Sequence, residues 1–409
     1  MKTKTRKSFF SLLFVIALDN LGFGLPFILF SPLMLDPKYG MLSESVPFET
    51  RTFLLGLLFG AFPITQLFGA PIFGDFADFY GRKKALYVTI FGTTFGYILS
   101  AIAVLIFNLP LLFFSRLITG FFAGNQSVCI AAIADLSPTE KERSRNFGFM
   151  TVALGLGWPL AMFAGGYLSD PSRSVYFNPS LPFALAIILS LINVLIVKKF
   201  FIETHEVRGK IRFDWLKGLY HIKQAFLLKG VRTLFVVMLC WVFGWVLPNQ
   251  WLGAYSILKF NATQEMITWA MVVAGITWTL GGLLINPFLI KYFSTRTTAA
   301  IGFAFSIIFI LLAYIPTNFT SFILLFGTAA LTASFVYSNT LNLISIHAKE
   351  NIQGAIMGLS ASVMSFGFVI MSVFGGVLGE SGMHQLLPIS SAILALGLLL
   401  LFVPSKKKA

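Results

Sequence analysis

Asp19 stands in the middle of an apolar run, Ala17-Leu18-Asp19-Asn20-Leu21-Gly22-Phe23-Gly24-Leu25-Pro26, and of sixteen acidic residues it alone lies deep inside such a run. A carboxyl group in hydrocarbon costs about 2.5–3.5 kcal/mol on insertion scales, so it is kept there by function or by a partner. Such a group can take up a proton and release it as its access to water changes. The structural alternative is a cap or a pair near a helix end. Arg116 is the one basic residue inside an apolar run. On a helix, Gly120, Ala123 and Ser127 share its face at successive turns, a track of small residues against which another helix can lie. A guanidinium there can govern the protonation of a carboxylate or hold an anionic group. A fixed ion pair or a snorkelling side chain is the plainer alternative.

A third cluster is Gly74-Asp75-Phe76-Ala77-Asp78-Phe79-Tyr80-Gly81-Arg82-Lys83-Lys84, a burst of charge and glycine between two long apolar runs. Its spacing predicts a short cytoplasmic loop: Gly74 lets a helix end pack closely, Gly81 allows a tight turn, and Arg82 to Lys84 anchor the turn. Asp78 can accept from Arg82, from an arginine of a neighbouring loop or from a helix N-terminus, making a conformational latch. A purely topogenic anchor accounts for the three basic residues but not for Asp78 between two spaced glycines.

The elements that carry these residues must be membrane spans. The 409 residues are 57% hydrophobic and 11% charged, against about 25% charged in soluble domains. Roughly twenty apolar residues cross a bilayer, so the length accommodates about twelve spans. The net charge of +14 raises nucleic acid as a partner, but its distribution excludes one. Assigned to alternating sides, 25 of the 30 Lys and Arg fall on one side, with only Lys38, Arg51, Arg173 and Lys259 on the other. That is the positive-inside pattern with both termini cytoplasmic. The first apolar run is full-length and lacks a clear cleavage site, so it is expected to remain as the first helix.

Apolar runs place spans near 9–30, 53–73, 85–107, up to 134, up to 168 and at 182–197, forming one six-helix half, residues 1–197. The second half, 231–409, repeats the pattern near 233–257, 266–290, 299–315, 319–344, 354–378 and 387–403. Residues 198–230 form the long polar interruption, where Trp215, Leu216, Leu219, Ile222 and Phe226 recur at helical spacing. They fit an amphipathic helix on the cytoplasmic membrane surface or an ordinary linker helix. Gly282 to Asn286, with Lys291 and Arg296, faintly repeats the Gly74 cluster, with Asn286 in place of the aspartate.

Amides and aromatics inside spans face the bundle interior or bond neighbouring helices. Trp241, Trp245 and Asn249 follow at one-turn intervals, next to Gln250; Tyr337, Asn339 and Asn342 recur in span ten. With Asn20, Gln66, Asn125 and Gln126 they are the candidate substrate-cavity residues. Cys129 and Cys240 read as small packing residues, with no disulfide or metal site. His205, His221, His347 and His384 fall in or near loops, which disfavours a buried histidine relay. The patterns Asn261-Ala262-Thr263 and Asn318-Phe319-Thr320 are assigned no role.

Four motifs together resemble the major facilitator superfamily, within it the twelve-span drug-proton antiporters that include the tetracycline efflux proteins. They are Gly74-x-x-x-Asp78-x-x-Gly81-Arg82-Lys83-Lys84, Arg116-x-x-x-Gly120, the stretch from Ile133-Ala134-Asp135 through Arg143 to Met150, and Gly155-Leu156-Gly157-Trp158-Pro159 to Gly165-Gly166. The last departs from the family pattern, with Ala161-Met162 where a Gly-Pro pair is expected. The resemblance implies an all-α membrane fold of twelve helices in two six-helix halves, rocking about a midplane cavity. It also places an aspartate at the position of Asp19. It implies proton-coupled efflux of a small, partly apolar compound, driven by the proton gradient without a cofactor, by a monomer in a bacterial inner membrane. Asp19 and Arg116 would couple protons. Gly74, Asp78, Gly81, Arg82, Asp135 and Arg143 would form the latch. Gly120, Gly124, Gly155, Gly157, Pro159, Gly165 and Gly166 would serve helix packing. The altered pair keeps open a nutrient importer or facilitator on the same fold, for amino acids, metabolites or siderophore-like compounds. A polytopic enzyme or channel is disfavoured, since there is neither a cluster of His, Asp or Glu nor a nucleotide-binding glycine loop.

Overall fold

The structure is a computed structural model that describes residues 3–137, 139–205, 216–228, 231–347 and 353–403. Among the described residues the regular elements are helices, with no strand. Eleven of them are long and apolar enough to cross a bilayer. A further apolar helix, α18 (Leu386–Leu401), has 16 residues, short for a full span. The chain is an all-helical, multi-pass membrane protein.

The residues group into two compact units, Met1–Leu29 with Ala61–Lys217 and Phe30–Gly60 with Gly218–Ala409. In the first unit lie most of α1 (Thr3–Leu35) and α2 (Phe48–Tyr80), then α3 (Arg82–Leu105), α4 (Leu109–Phe122), α5 (Asn125–Asp135), α6 (Glu140–Leu168) and α7 (Leu181–Phe200). A linker helix, α8 (Lys217–Leu227), follows and turns Leu219, Tyr220 and Leu227 outward while burying Gly218 and Ala225. Trp215, counted above in that helix, lies outside the described residues.

Two features of the first unit differ from the sequence reading. The Gly74 cluster is not a loop: α2 continues to Tyr80 and α3 begins at Arg82, leaving Gly81 as a one-residue joint. Its φ of +96° is a conformation that side-chain-bearing residues avoid, so one glycine replaces a whole turn. Span four, in turn, is two helices. After α4 the chain leaves helical geometry at Ala123 (ψ 45°), and the Gly124 N–H bonds the Phe122 carbonyl at 2.8 Å before α5 begins. The carbonyl of Ala123 freed by the break accepts from Gln66 Nε2 at 3.4 Å, as a membrane-buried backbone group requires. The core of this unit joins Leu12, Val15 and Ile16 of α1, Leu86 and Ile90 of α3, and Val128, Cys129, Ala132 and Ile133 of α5.

The second unit comprises α9 (Arg232–Trp241), α10 (Leu247–Gln250), α11 (Leu252–Phe260), α12 (Gln264–Leu280), α13 (Asn286–Ile290), α14 (Thr295–Tyr314), α15 (Phe319–His347), α16 (Gln353–Val377), α17 (Gly379–His384) and α18. Single π turns at Val242–Val246 and Gly281–Ile285 join α9 to α10 and α12 to α13. Each unit carries a hydroxyl pair between adjacent helices: Ser100 and Ser115 at 2.8 Å between α3 and α4, and Ser306 and Thr332 at 2.9 Å between α14 and α15.

Candidate functional site

Asp19, on α1, meets the break in span four. Its Oδ1 accepts from Asn125 Nδ2 at 2.8 Å, and Asn125 is the first residue of α5 and fully buried. Asn125, expected among the cavity residues, is thus paired with a carboxylate 106 residues away. The Gly124-Asn125-Gln126-Ser127 run was a signal, because a glycine followed by polar residues suits a helix start. On another side of Asp19 a small pocket is lined by Thr93, Tyr97, Ser190 and Asn193. Tyr97 reaches α1 at Gly22, where an added Cβ would collide with the Tyr97 hydroxyl.

Arg116 is buried, its guanidinium carbon 5.1 Å from the centre of the Phe62 ring on α2. One turn on, Gly120 backs directly onto the Phe62 carbonyl, and Gly69 onto the Phe121 carbonyl. Gly120 thus marks a close crossing of α2 and α4, but the expected track stops there: the break at Ala123 takes Ser127 onto another helix, where it is exposed. Gly124, Gly157 and Gly165 are equally confined: an added Cβ would lie 2.7 Å from Phe73 Cβ, 2.7 Å from the Ala17 carbonyl oxygen and 2.8 Å from Ile28, respectively. Gly166 is buried with its carbonyl accepting from Ser169, Gly155 is half-buried, and Pro159 lies within α6. Ala161 and Met162 are fully buried, and Gly24 of α1 sits on them, its added Cβ 2.9 Å from Met162 Cε.

At the α2–α3 joint, Arg82 bridges two carboxylates. Its Nη1 donates to Asp78 Oδ1 at 2.6 Å and its Nε to Asp135 Oδ2 at 3.3 Å, with the side chain 8% exposed. Arg82 is thus buried in the ion-pair cluster, paired with Asp78 in one of the ways its spacing allows and with Asp135 besides. Glu203, not singled out from sequence, completes the joint. Its carboxylate accepts the N–H groups of Arg82 at 2.8 Å and Lys83 at 3.0 Å, an anion on a helix N-terminus. Thr204 Oγ1 donates to Asp135 at 3.2 Å, and Lys83 Nζ donates to the Lys198 and Phe201 carbonyls at the end of α7. Glycine is required at 81 twice over, by its φ and because an added Cβ would fall 2.8 Å from Glu203 Cδ. Gly74 differs: nothing lies within 4 Å of an added Cβ, so the close packing expected there is not found in this conformation. Asp75, beside it, pairs with Lys217 at 2.5 Å. The side chain of Arg143 lies outside the described residues.

The remaining cavity candidates divide. Asn20 Nδ2 donates to the Leu154 carbonyl of α6 at 2.6 Å, and Gln126 is exposed. In the second unit, Trp241 and Trp245 are brought together with Tyr337, another of the cavity candidates, and with Trp278, which was not among them. Ring centres lie 5.0 Å apart for Trp241 and Tyr337 and 6.0 Å for the stacked Trp245 and Trp278. Trp241 Nε1 also donates to the Ala333 carbonyl at 3.1 Å. Because a π turn follows Trp241, the simple one-turn stripe ending at Asn249 is broken. Asn249 is half-buried, and Gln250 Oε1 accepts from Ser372 at 3.1 Å. Asn339 Nδ2 donates to Asn286 Oδ1 at 2.7 Å, a buried amide pair where the sequence echo of Asp78 falls. Asn342 is exposed.

Against "Tetracycline resistance protein, class H" of Pasteurella multocida the chain is 30% identical over 200 residues, covering 49% of this chain and 46% of that protein, so the chain spans about half that relative's length. Against "Tetracycline resistance protein, class G" of Vibrio anguillarum it is 26% identical over 386 residues, 93% of this chain and 91% of the relative. Among solved structures, a D-xylose-proton symporter aligns with a TM-score of 0.77 at 16% identity, over 98% of this chain and 100% of that one. The sequence profile of the Major Facilitator Superfamily matches residues 12–289 and 257–409. With that match across its length, an all-helical multi-pass fold and the bridged α2–α3 joint, the chain belongs to the Major Facilitator Superfamily, a family of membrane transporters of small molecules.

Proposed function

We propose that this transporter exports a small, partly apolar compound in exchange for protons by alternating access, in a bacterial inner membrane with both termini cytoplasmic. The observation that carries the reading is Asp19 on α1, its carboxylate held by the buried Asn125. A carboxylate so placed, in the span and with one amide donor, binds a proton when its contact with water changes. Arg116 on α4 sets the electrostatics of the same unit, and Asp78, Arg82 and Asp135 form the cytoplasmic latch. The tetracycline resistance relatives make tetracycline the first compound to try. The aromatic cluster of Trp241, Trp245, Trp278 and Tyr337 offers flat apolar surface to a planar substrate.

The second reading, an importer on the same fold, is favoured by Ala161-Met162 in α6, which departs from the antiporter pattern and packs against Gly24. Inside-out vesicles carrying the protein separate the two. Acidifying the lumen should drive accumulation of tetracycline or of another compound found in a stabilisation screen. Accumulation without a proton gradient, or only from the opposite face, would reject proton-coupled export.

A further inference from the structure

The two charged centres of the first unit sit at opposite ends of one short helix. α5 begins at Asn125, bonded to Asp19, and ends at Asp135, bonded to Arg82 and Thr204. Eleven residues at 1.5 Å each make this a strut of about 16 Å. At its start it is uncoupled from α4 by the break at Ala123 and Gly124. Along its length it is packed by Val128, Cys129, Ala132 and Ile133 against the apolar core formed with α1 and α3. A short helix packed along its side and broken from α4 at its start moves as a body, because packed interiors shift between discrete arrangements rather than deform smoothly.

Asn125 has the chemistry to read the state of Asp19. Its Nδ2 donates to the carboxylate, while its own Oδ1, fully buried, has no hydrogen-bond partner among the described residues. A carboxylate only accepts, whereas a protonated carboxyl also donates. When Asp19 gains a proton, the bond from Nδ2 loses its charge assistance, and the new O–H finds in Asn125 Oδ1 an acceptor that rotation of the amide presents to it. The two states of Asp19 therefore favour two positions of the amide, and the amide is fixed to the first turn of α5.

We propose that α5 is the coupling element of this transporter: Asn125 reads the protonation of Asp19, and the helix transmits the change to Asp135 and so to the Arg82 latch. Asn125 is a positioning residue here and does not itself carry the proton. The proposal rests on the reading of Asp19 as the proton site, but it can fail separately. Coupling between Asp19 and the latch is read as non-additivity of changes at Asp19 and Asn125.

The test is amide hydrogen exchange of the purified full-length protein, read on peptides containing Arg82 and Lys83, whose N–H groups bond Glu203. Asp19→Asn stands in for the uncharged state. It should change exchange at these amides about fivefold or more, the lower end of typical allosteric coupling. In an Asn125→Ala or Asn125→Leu background, either of which suffices if the other does not fold, the same Asp19→Asn step should change exchange by less than about twofold. A merely structural Asn125 would shift the baseline but leave that response intact, and an intact response overturns the proposal. A silent latch in Asp19→Asn itself also overturns it. Proton-driven export assayed on the same variants separates the two failures. Export lost with a silent latch sinks the strut alone, whereas proton-driven export retained in Asp19→Asn sinks the proton-site reading.

Discussion

The carboxylate of Glu203 accepts the backbone N–H of Arg82 at 2.8 Å, closing the N-terminal end of α3 from 121 residues away. With its second bond to Lys83 it satisfies two of the donors that every helix start leaves over. Glu203→Ala should strand the part-buried N–H of Arg82, while the exposed N–H of Lys83 turns to water. A loss of about 1–3 kcal/mol follows for such an unsatisfied donor, read as a lower unfolding temperature in detergent. Glu203→Gln, which keeps an acceptor oxygen, should lose less.

Gly81→Ala tests the joint from the other side. The φ of +96° and the proximity of Glu203 both oppose a methyl group, and strain of this kind costs about 1–3 kcal/mol. The variant should unfold at lower temperature than wild type. Gly74→Ala, with open space around it, should be nearly neutral in stability.

Asp78→Asn should separate stability from transport. The Asp78 side chain is 56% exposed, and ion pairs at such sites contribute only about 0–1 kcal/mol. Insertion and unfolding temperature should therefore stay near wild type. If the proposed latch biases one access state, transport should fall about 5- to 150-fold, the range of ordinary conformational coupling. Loss of membrane insertion would instead return the cluster to a topogenic role.

Asn339→Ala addresses the second unit. It removes the amide that donates to Asn286 and leaves a buried oxygen without its partner, a cost of about 1–3 kcal/mol. Asn339→Ala with Asn286→Ala should be less destabilising than the sum of the two single changes, which thermal unfolding of the four proteins will show.

The spans and the three charged centres were legible because hydrocarbon leaves few choices: a run of twenty apolar residues is a helix, and Asp19 or Arg116 inside one stands out. Gly81 was legible for the same kind of local reason, a tight joint needing a positive φ. What depends on distant pairing was not. Nothing near Asn125 points to Asp19, and nothing in Ile202-Glu203-Thr204 points to the start of α3. The π turns at 242–246 and 281–285, which bring Trp245 beside Trp278, leave no periodic trace of their own. Helix length was underestimated too: α2 runs 33 residues to Tyr80, because a charged end can stay helical beyond the bilayer when Arg82 and Lys217 pair with its aspartates.

Whether Asp19 carries the coupling proton is decided in proteoliposomes bearing wild type or Asp19→Asn under an imposed pH gradient. Uptake of one transported compound is followed with and without the gradient. Uphill accumulation is expected in wild type and, in Asp19→Asn, only movement down the compound's own gradient, at the same rate whether or not the proton gradient is present. Proton-driven accumulation that survives in Asp19→Asn would contradict that role of Asp19.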